Sequence, residues 1–165
     1  NTPPTATDVQ TANNGATAGL MESTDTITYS FSEAVEPFSI LTNWDGTSTA
    51  VTVNVQNSPT TGALANRGKN DLLTITAAGG TVKLGSVQLK GDYATTDSTF
   101  AGTMAMSGST VVVTLGSQST GTAHTETTAA NMIITPVTGP FDLAGNNLTS
   151  TTAVTESFST ADVEF

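Results

Sequence analysis

Residues 25–35 read Asp25-Thr26-Ile27-Thr28-Tyr29-Ser30-Phe31-Ser32-Glu33-Ala34-Val35, and this stretch decides the fold class. Ile27, Tyr29 and Phe31 fall on one side of a period-2 pattern, while Thr26, Thr28, Ser30 and Ser32 fall on the other. Successive side chains of a strand point to opposite faces, so this alternation describes a strand with one buried and one wet face.

Outward from it, the same pattern recurs. Val51, Val53 and Val55 alternate with Thr52 and Asn54, and Leu73 and Ile75 mark a third strand. Val82 and Leu84, then Val87 and Leu89, predict two short strands or one bulged at Gly85. Phe100, Gly102, Met104 and Met106 share one face and Val111, Val113 and Leu115 another, with Ser107-Gly108-Ser109 as the turn of the clearest hairpin. Residues 132–135 and 154–158 add short strands. Glu36-Pro37-Phe38-Ser39-Ile40-Leu41, with Pro at the first helical position, predicts one helical turn, and Asp45-Gly46 a hairpin-type turn. Residues 58–70, 91–98 and 117–130 read as polar loops, the last with a helical turn near its end. About nine strands separated by turn signals predict an all-β antiparallel sandwich. With no internal period, residues 1–165 read as a single domain, one long enough to bury about 70% of its unfolded surface.

Composition narrows the setting. Four Lys and Arg against 14 Asp and Glu leave a net charge of −10, which disfavours nucleic acid and anionic membrane surfaces as partners. No apolar run is long enough for membrane insertion as a helix. Thr and Ser make up about 30% of the chain, far above ordinary usage. They solvate outer strand faces where other proteins use Lys and Glu. There is no cysteine, so disulfides and thiolate chemistry are excluded. The Thr-rich, Lys-poor surface leans towards an extracellular setting.

Two segments together, residues 25–35 and Phe141-Asp142-Leu143-Ala144-Gly145-Asn146-Asn147-Leu148, resemble signatures of the bacterial Ig-like domains of surface-layer proteins and large adhesins. In that family an early strand of the form D-T-I-x-x-x-F-S-E-x-V leads the domain and a D-x-A-G-N turn precedes its last strand. The resemblance implies an Ig-like sandwich, here with enlarged loops, since an Ig-type sandwich needs about 100 residues. It also implies a non-enzymatic structural role at the cell surface: a spacer, an adhesin segment or a filament subunit. Neighbouring Ig-like domains or self-association would supply the partners.

The candidate chemistry is sparse. His124, the single histidine, sits in a polar stretch with no G-x-S-x-G elbow anywhere, and it reads as a surface histidine. Glu33 and Glu36 are close but lack flanking aromatic subsites, so a glycosidase pair is disfavoured. Calcium needs six to eight hard oxygens, and Asp142, Asn146 and Asn147 in a tight turn, with Asp25 or Glu22, offer several. The competing expectation is that these side chains cap backbone N–H groups. Asn147-Leu148-Thr149 is an N-glycosylation triplet. Trp44, Phe38 and Tyr93 are candidates for stacking a glycan ligand, the alternative being core or lid residues. Finally, residues 1–13 and 159–165 read as extended ends. Val9 in the first, and Val163 and Phe165 in the second, are candidates for donating a strand to a neighbouring subunit; the alternative is that they are this domain's own first and last strands.

Overall fold

The computed structural model describes residues 2–57, 70–157 and 161–165. Among them lie nine strands: β1 (Ala6–Ala12), β2 (Thr26–Phe31), β3 (Thr49–Gln56), β4 (Leu72–Ala77), β5 (Gly80–Gln88), β6 (Ala94–Ser107), β7 (Thr110–Ala123), β8 (Ile133–Thr135) and β9 (Val154–Thr155). One four-residue helix, α1 (Pro37–Ile40), begins at the proline as expected. Every pairing is antiparallel, in the order β1-β2-β7-β6-β3-β4-β5-β8-β9. The two ends of this order come back together: Ser157, just after β9, donates its N–H and its hydroxyl to the Asp8 carboxylate on β1, at 2.9 and 2.8 Å. The result is a nearly closed, sandwich- or barrel-like sheet, and the all-β expectation holds.

Alternation builds the interior. Ile27, Tyr29 and Phe31 of β2 meet Val53 and Val55 of β3, Leu73 of β4, Phe100 and Met104 of β6 and Val111, Val113 and Leu115 of β7 in one contiguous buried cluster. In β5 the inward parity switches from Val82 and Leu84 to Val87 and Leu89. The switch coincides with an irregularity in the pairing with β4 and with Gly85, whose φ of +81° is left-handed. A Cβ there would lie 2.2 Å from the Thr135 carbonyl oxygen, so the bulge requires glycine.

Three readings need correction. Residues 94–98 and 117–123, expected as loops, extend the β6–β7 hairpin to 14 residues in each strand. Beyond Leu115, β7 is exposed on both faces up to Ala123, so no apolar alternation marks it. The ladder with β6 holds it instead, through shifted pairs such as Phe100 with Gln118 and Thr99 with Thr120. Asp45-Gly46 does not join a hairpin; the Asp45 carboxylate accepts the Thr47 N–H at 3.0 Å in a turn between α1 and β3. Of the predicted loop over 58–70, residues 58–69 lie outside the described residues, as does Phe158 of the predicted last strand, of which only Val154–Thr155 form a strand, β9.

The fold brings together the two segments that carry the family resemblance. Val35 forms an antiparallel bridge with Asp142, the Glu36 N–H donates to the Phe141 carbonyl at 2.8 Å, and Phe38 meets Phe141 edge-to-face at 5.2 Å. This junction lies at the pole of the sheet that holds the β6–β7 turn, where the Phe31 N–H donates to the Ser109 carbonyl.

Candidate functional site

Asp142 organises its own turn. Oδ1 accepts the N–H groups of Ala144 and Asn146, and Oδ2 accepts the Asn146 side-chain amide, all at 2.8 Å. Gly145 turns the chain with φ +84°. The Asn146 side chain foremost, and the backbone donors after it, hold the Asp142 carboxyl below the usual carboxylate range against the opposing effect of burial. Asn147 is exposed and bridges to Phe141, and Leu148 behind it is buried, so the glycosylation triplet presents its asparagine to solvent.

Asp25 plays the same part elsewhere. Its Oδ1 accepts the N–H groups of Asn14 and Gly15 at 2.9 and 2.8 Å, and its Oδ2 that of Glu22 at 2.7 Å. Glu22 in turn accepts the N–H groups of Ala16 and Thr17. Asp25 precedes β2 and Asp142 pairs beyond its other end, so the length of a six-residue strand, about 20 Å, separates them. The expected calcium set of Asp142, Asn146, Asn147 and Asp25 is therefore not one cluster. Its two aspartates are spent on backbone donors, because a short acceptor at a turn finds local N–H groups first.

The aromatic trio is also dispersed. Trp44 is buried and donates its indole N–H to the Thr47 carbonyl at 2.6 Å. Tyr93 is buried against Phe165, with ring centres 5.6 Å apart. Only Phe38 is exposed. His124 follows the end of β7, is exposed, and spends Nδ1 on the Asp92 carbonyl at 2.7 Å. Glu36 precedes α1 without capping it through its side chain.

The residues expected to serve assembly lie largely inside. Val9 and Phe165 are 0% and 2% exposed; Val163 is half-buried beside Gly19. β1 pairs with β2 from Ala6 to Ala12, and the Gly19 N–H donates to the Phe165 carbonyl at 2.6 Å. The described residues of both end segments thus occupy seats in their own domain: the first supplies its first strand, β1, whereas residues 161–165 form no strand and are held by the isolated Ala130–Asp162 bridge and the Gly19–Phe165 hydrogen bond.

That seating creates a site the motif reading missed. Glu156 follows β9, its N–H donating to the Met132 carbonyl at 3.0 Å. Asp162 bridges to Ala130. The Glu164 N–H donates to the Tyr93 hydroxyl at 2.9 Å. These three anchors bring one carboxylate oxygen from each of Glu156, Asp162 and Glu164 within 4.8 Å of one another. Asp162 is exposed, whereas Glu156 and Glu164 are 4% and 2% exposed. The Thr11 hydroxyl donates to Glu164 Oε2, but Glu164 Oε1 and both oxygens of Glu156 are buried and receive no donor from the surrounding protein; the two carboxyls face each other closely enough to share a proton. Burial foremost, then the charges of Glu156 and Asp162, push the Glu164 carboxyl up to about 8 against the opposing Thr11 hydroxyl. Burial likewise raises Glu156, with Asp162 and Asp8 adding to it. The signal available in the sequence was three acids within nine residues, two of them at i and i+2 on one side of an extended segment. Comparison with known proteins adds no name to this geometry: no family model, no curated protein and no solved structure matches the chain.

Proposed function

We propose that this chain is a non-enzymatic structural module of the Ig-like sandwich kind, acting as a spacer or filament segment in an extracellular or cell-surface protein. The observation that carries the reading is where the two end segments sit. Thr5 accepts the Ser32 N–H at 2.9 Å, so residues 2–5 lie at the pole of the β6–β7 turn. Residues 164 and 165 lie against Thr11, Gly19 and Tyr93, towards the other pole. Tension applied between them runs along β1, so the β1–β2 hydrogen bonds share the load in parallel instead of opening one at a time. Exposed Phe38 and Leu143 at the first pole suit contact with a neighbouring module. Self-association by strand exchange is a further proposal, in which the seats of Val9 and Phe165 are filled by a second copy. A glycan-binding alternative has less support, because Trp44 and Tyr93 are core residues.

Force spectroscopy tests the reading. The domain pulled between residues 2 and 165 should resist clearly higher force than the same domain pulled between residues 2 and 108, which share a pole and so unzip the ladder. Equal forces would refute the proposal. Phe165→Ala should cost about 3–5 kcal/mol by emptying a core seat, seen as a lower urea midpoint of the monomer.

A further inference from the structure

We propose that Glu156, Asp162 and Glu164 bind a hard divalent cation, Ca²⁺ in preference to Mg²⁺, at the seam where the last strand returns to the first. Three observations support this independently of the mechanical reading. The first is spacing. Oxygens within 4.8 Å of one another fit around an ion whose oxygen ligands stand at about 2.3–2.6 Å. The second is the state of the ligands. Three carboxylate oxygens, two on Glu156 and one on Glu164, are buried with no donor from the surrounding protein and only each other's proton to share, and burying acceptors without donors costs free energy that an ion would recover. The other buried carboxylates among the described residues, Asp25, Asp71, Glu126 and Asp142, each accept backbone N–H groups. The third is access, since exposed Asp162 opens the cluster to solvent.

The groups that face the cluster are Asp8 and Thr11 on β1, Tyr93 just before β6, and the three acids themselves. The donor set favours Ca²⁺ because its coordination is flexible and takes mono- or bidentate carboxylates, whereas Mg²⁺ demands near-ideal octahedral geometry and keeps its waters. Bound there, the ion would tie the segment after β9 and residues 162–164 into one unit. That unit is held to β1 through Asp8 and Thr11, which closes the open side of the sheet.

The test is a thermal melt of the whole chain at pH 7.5 in chelator, in CaCl₂, in MgCl₂ and in NaCl of matched ionic strength. Calcium should raise the melting temperature more than magnesium does, and sodium should leave it unchanged. Glu156→Gln and Glu164→Gln should each weaken the calcium response by about tenfold or more, since ligand charge tunes such sites. Exposed Asp162→Asn, which keeps the core intact, should weaken it less, and Glu33→Gln, a charge control outside the cluster, should retain it. Terbium, a calcium stand-in, should luminesce on excitation of Tyr93, with the emission quenched by added Ca²⁺ and lost in Glu156→Gln. A wild-type melt unmoved by about 10 mM Ca²⁺, an equal response to sodium, or a response lost as readily in Glu33→Gln as in Glu156→Gln would each overturn the site.

Discussion

The buried carboxylates of this domain fall into two regions that obey opposite rules. At the turns around Asp25, Glu126 and Asp142, each carboxylate sits at the centre of a ring of backbone N–H groups. At Glu126 burial acts to raise the carboxyl, but the N–H groups of Asp92, Thr128 and Thr127 outweigh burial and hold it at about 2. At the seam, Glu156 and Glu164 are as deeply buried but face each other and Asp162, and burial drives them the other way. Depth alone therefore does not set the charge state of a buried acid; the donors within reach do. The first group organises loops through those backbone donors. The second stores a repulsion that protons or a cation can relieve.

The largest effect that would break this comparison is at Asp25. Asp25→Ala strands the N–H groups of Asn14, Gly15 and Glu22 and should cost about 2–4 kcal/mol in urea denaturation at pH 7. A loss below about 0.5 kcal/mol would mean that water replaces the carboxylate at no cost. Next comes the seam. In chelator at pH 8.5, Glu164→Gln should raise the melting temperature by about 2–4 °C, because the amide removes a repelling charge and supplies a donor to Glu156. A fall would show that the carboxylate is stabilising as it stands.

The pH profile sharpens the contrast further. For Glu164 the folded value, about 8, exceeds the unfolded value of 4.5, so its contribution is full below pH 4.5 and is lost as pH rises towards 8. For Glu126 the folded value, about 2, lies below 4.5, so its contribution is full above pH 4.5 and is lost as pH falls towards 2. Melts across pH 2–9 in chelator should peak near pH 4.5–5, and calcium should lift the alkaline limb selectively. A flat alkaline limb would remove the distinction between the two regions. The smallest effect is Glu33→Gln, expected within about 0.5 kcal/mol at any pH.

Much of the fold was legible because strand alternation is a local property. The buried sets of β2, β3, β4 and the inner half of the β6–β7 hairpin were each visible from residue type and spacing, as were the turn at Gly108, the bulge at Gly85 and the helical turn at Pro37. The outer half of that hairpin was not. Residues 117–122 are wet on both faces and carry no pattern, and only a partner strand from outside the segment makes them a strand. The end segment misled differently. Val163 and Phe165 alternate as an apolar pair, yet Glu164 between them is the more deeply buried neighbour of Phe165, because Thr11 and Tyr93 receive it.

By itself, then, the amino-acid order determined that this is an antiparallel all-β protein, which side of each core strand faces inward, and that its surface is acidic and hydroxyl-rich. The geometry of Cβ along an extended backbone suffices for that. Only the tertiary structure decided which acids meet backbone donors and which meet one another, and that residues of both end segments lie within the domain's own core. A carboxylate's fate depends on groups brought to it through space, such as Tyr93 and Thr11 against Glu164, and no local spacing carries that information.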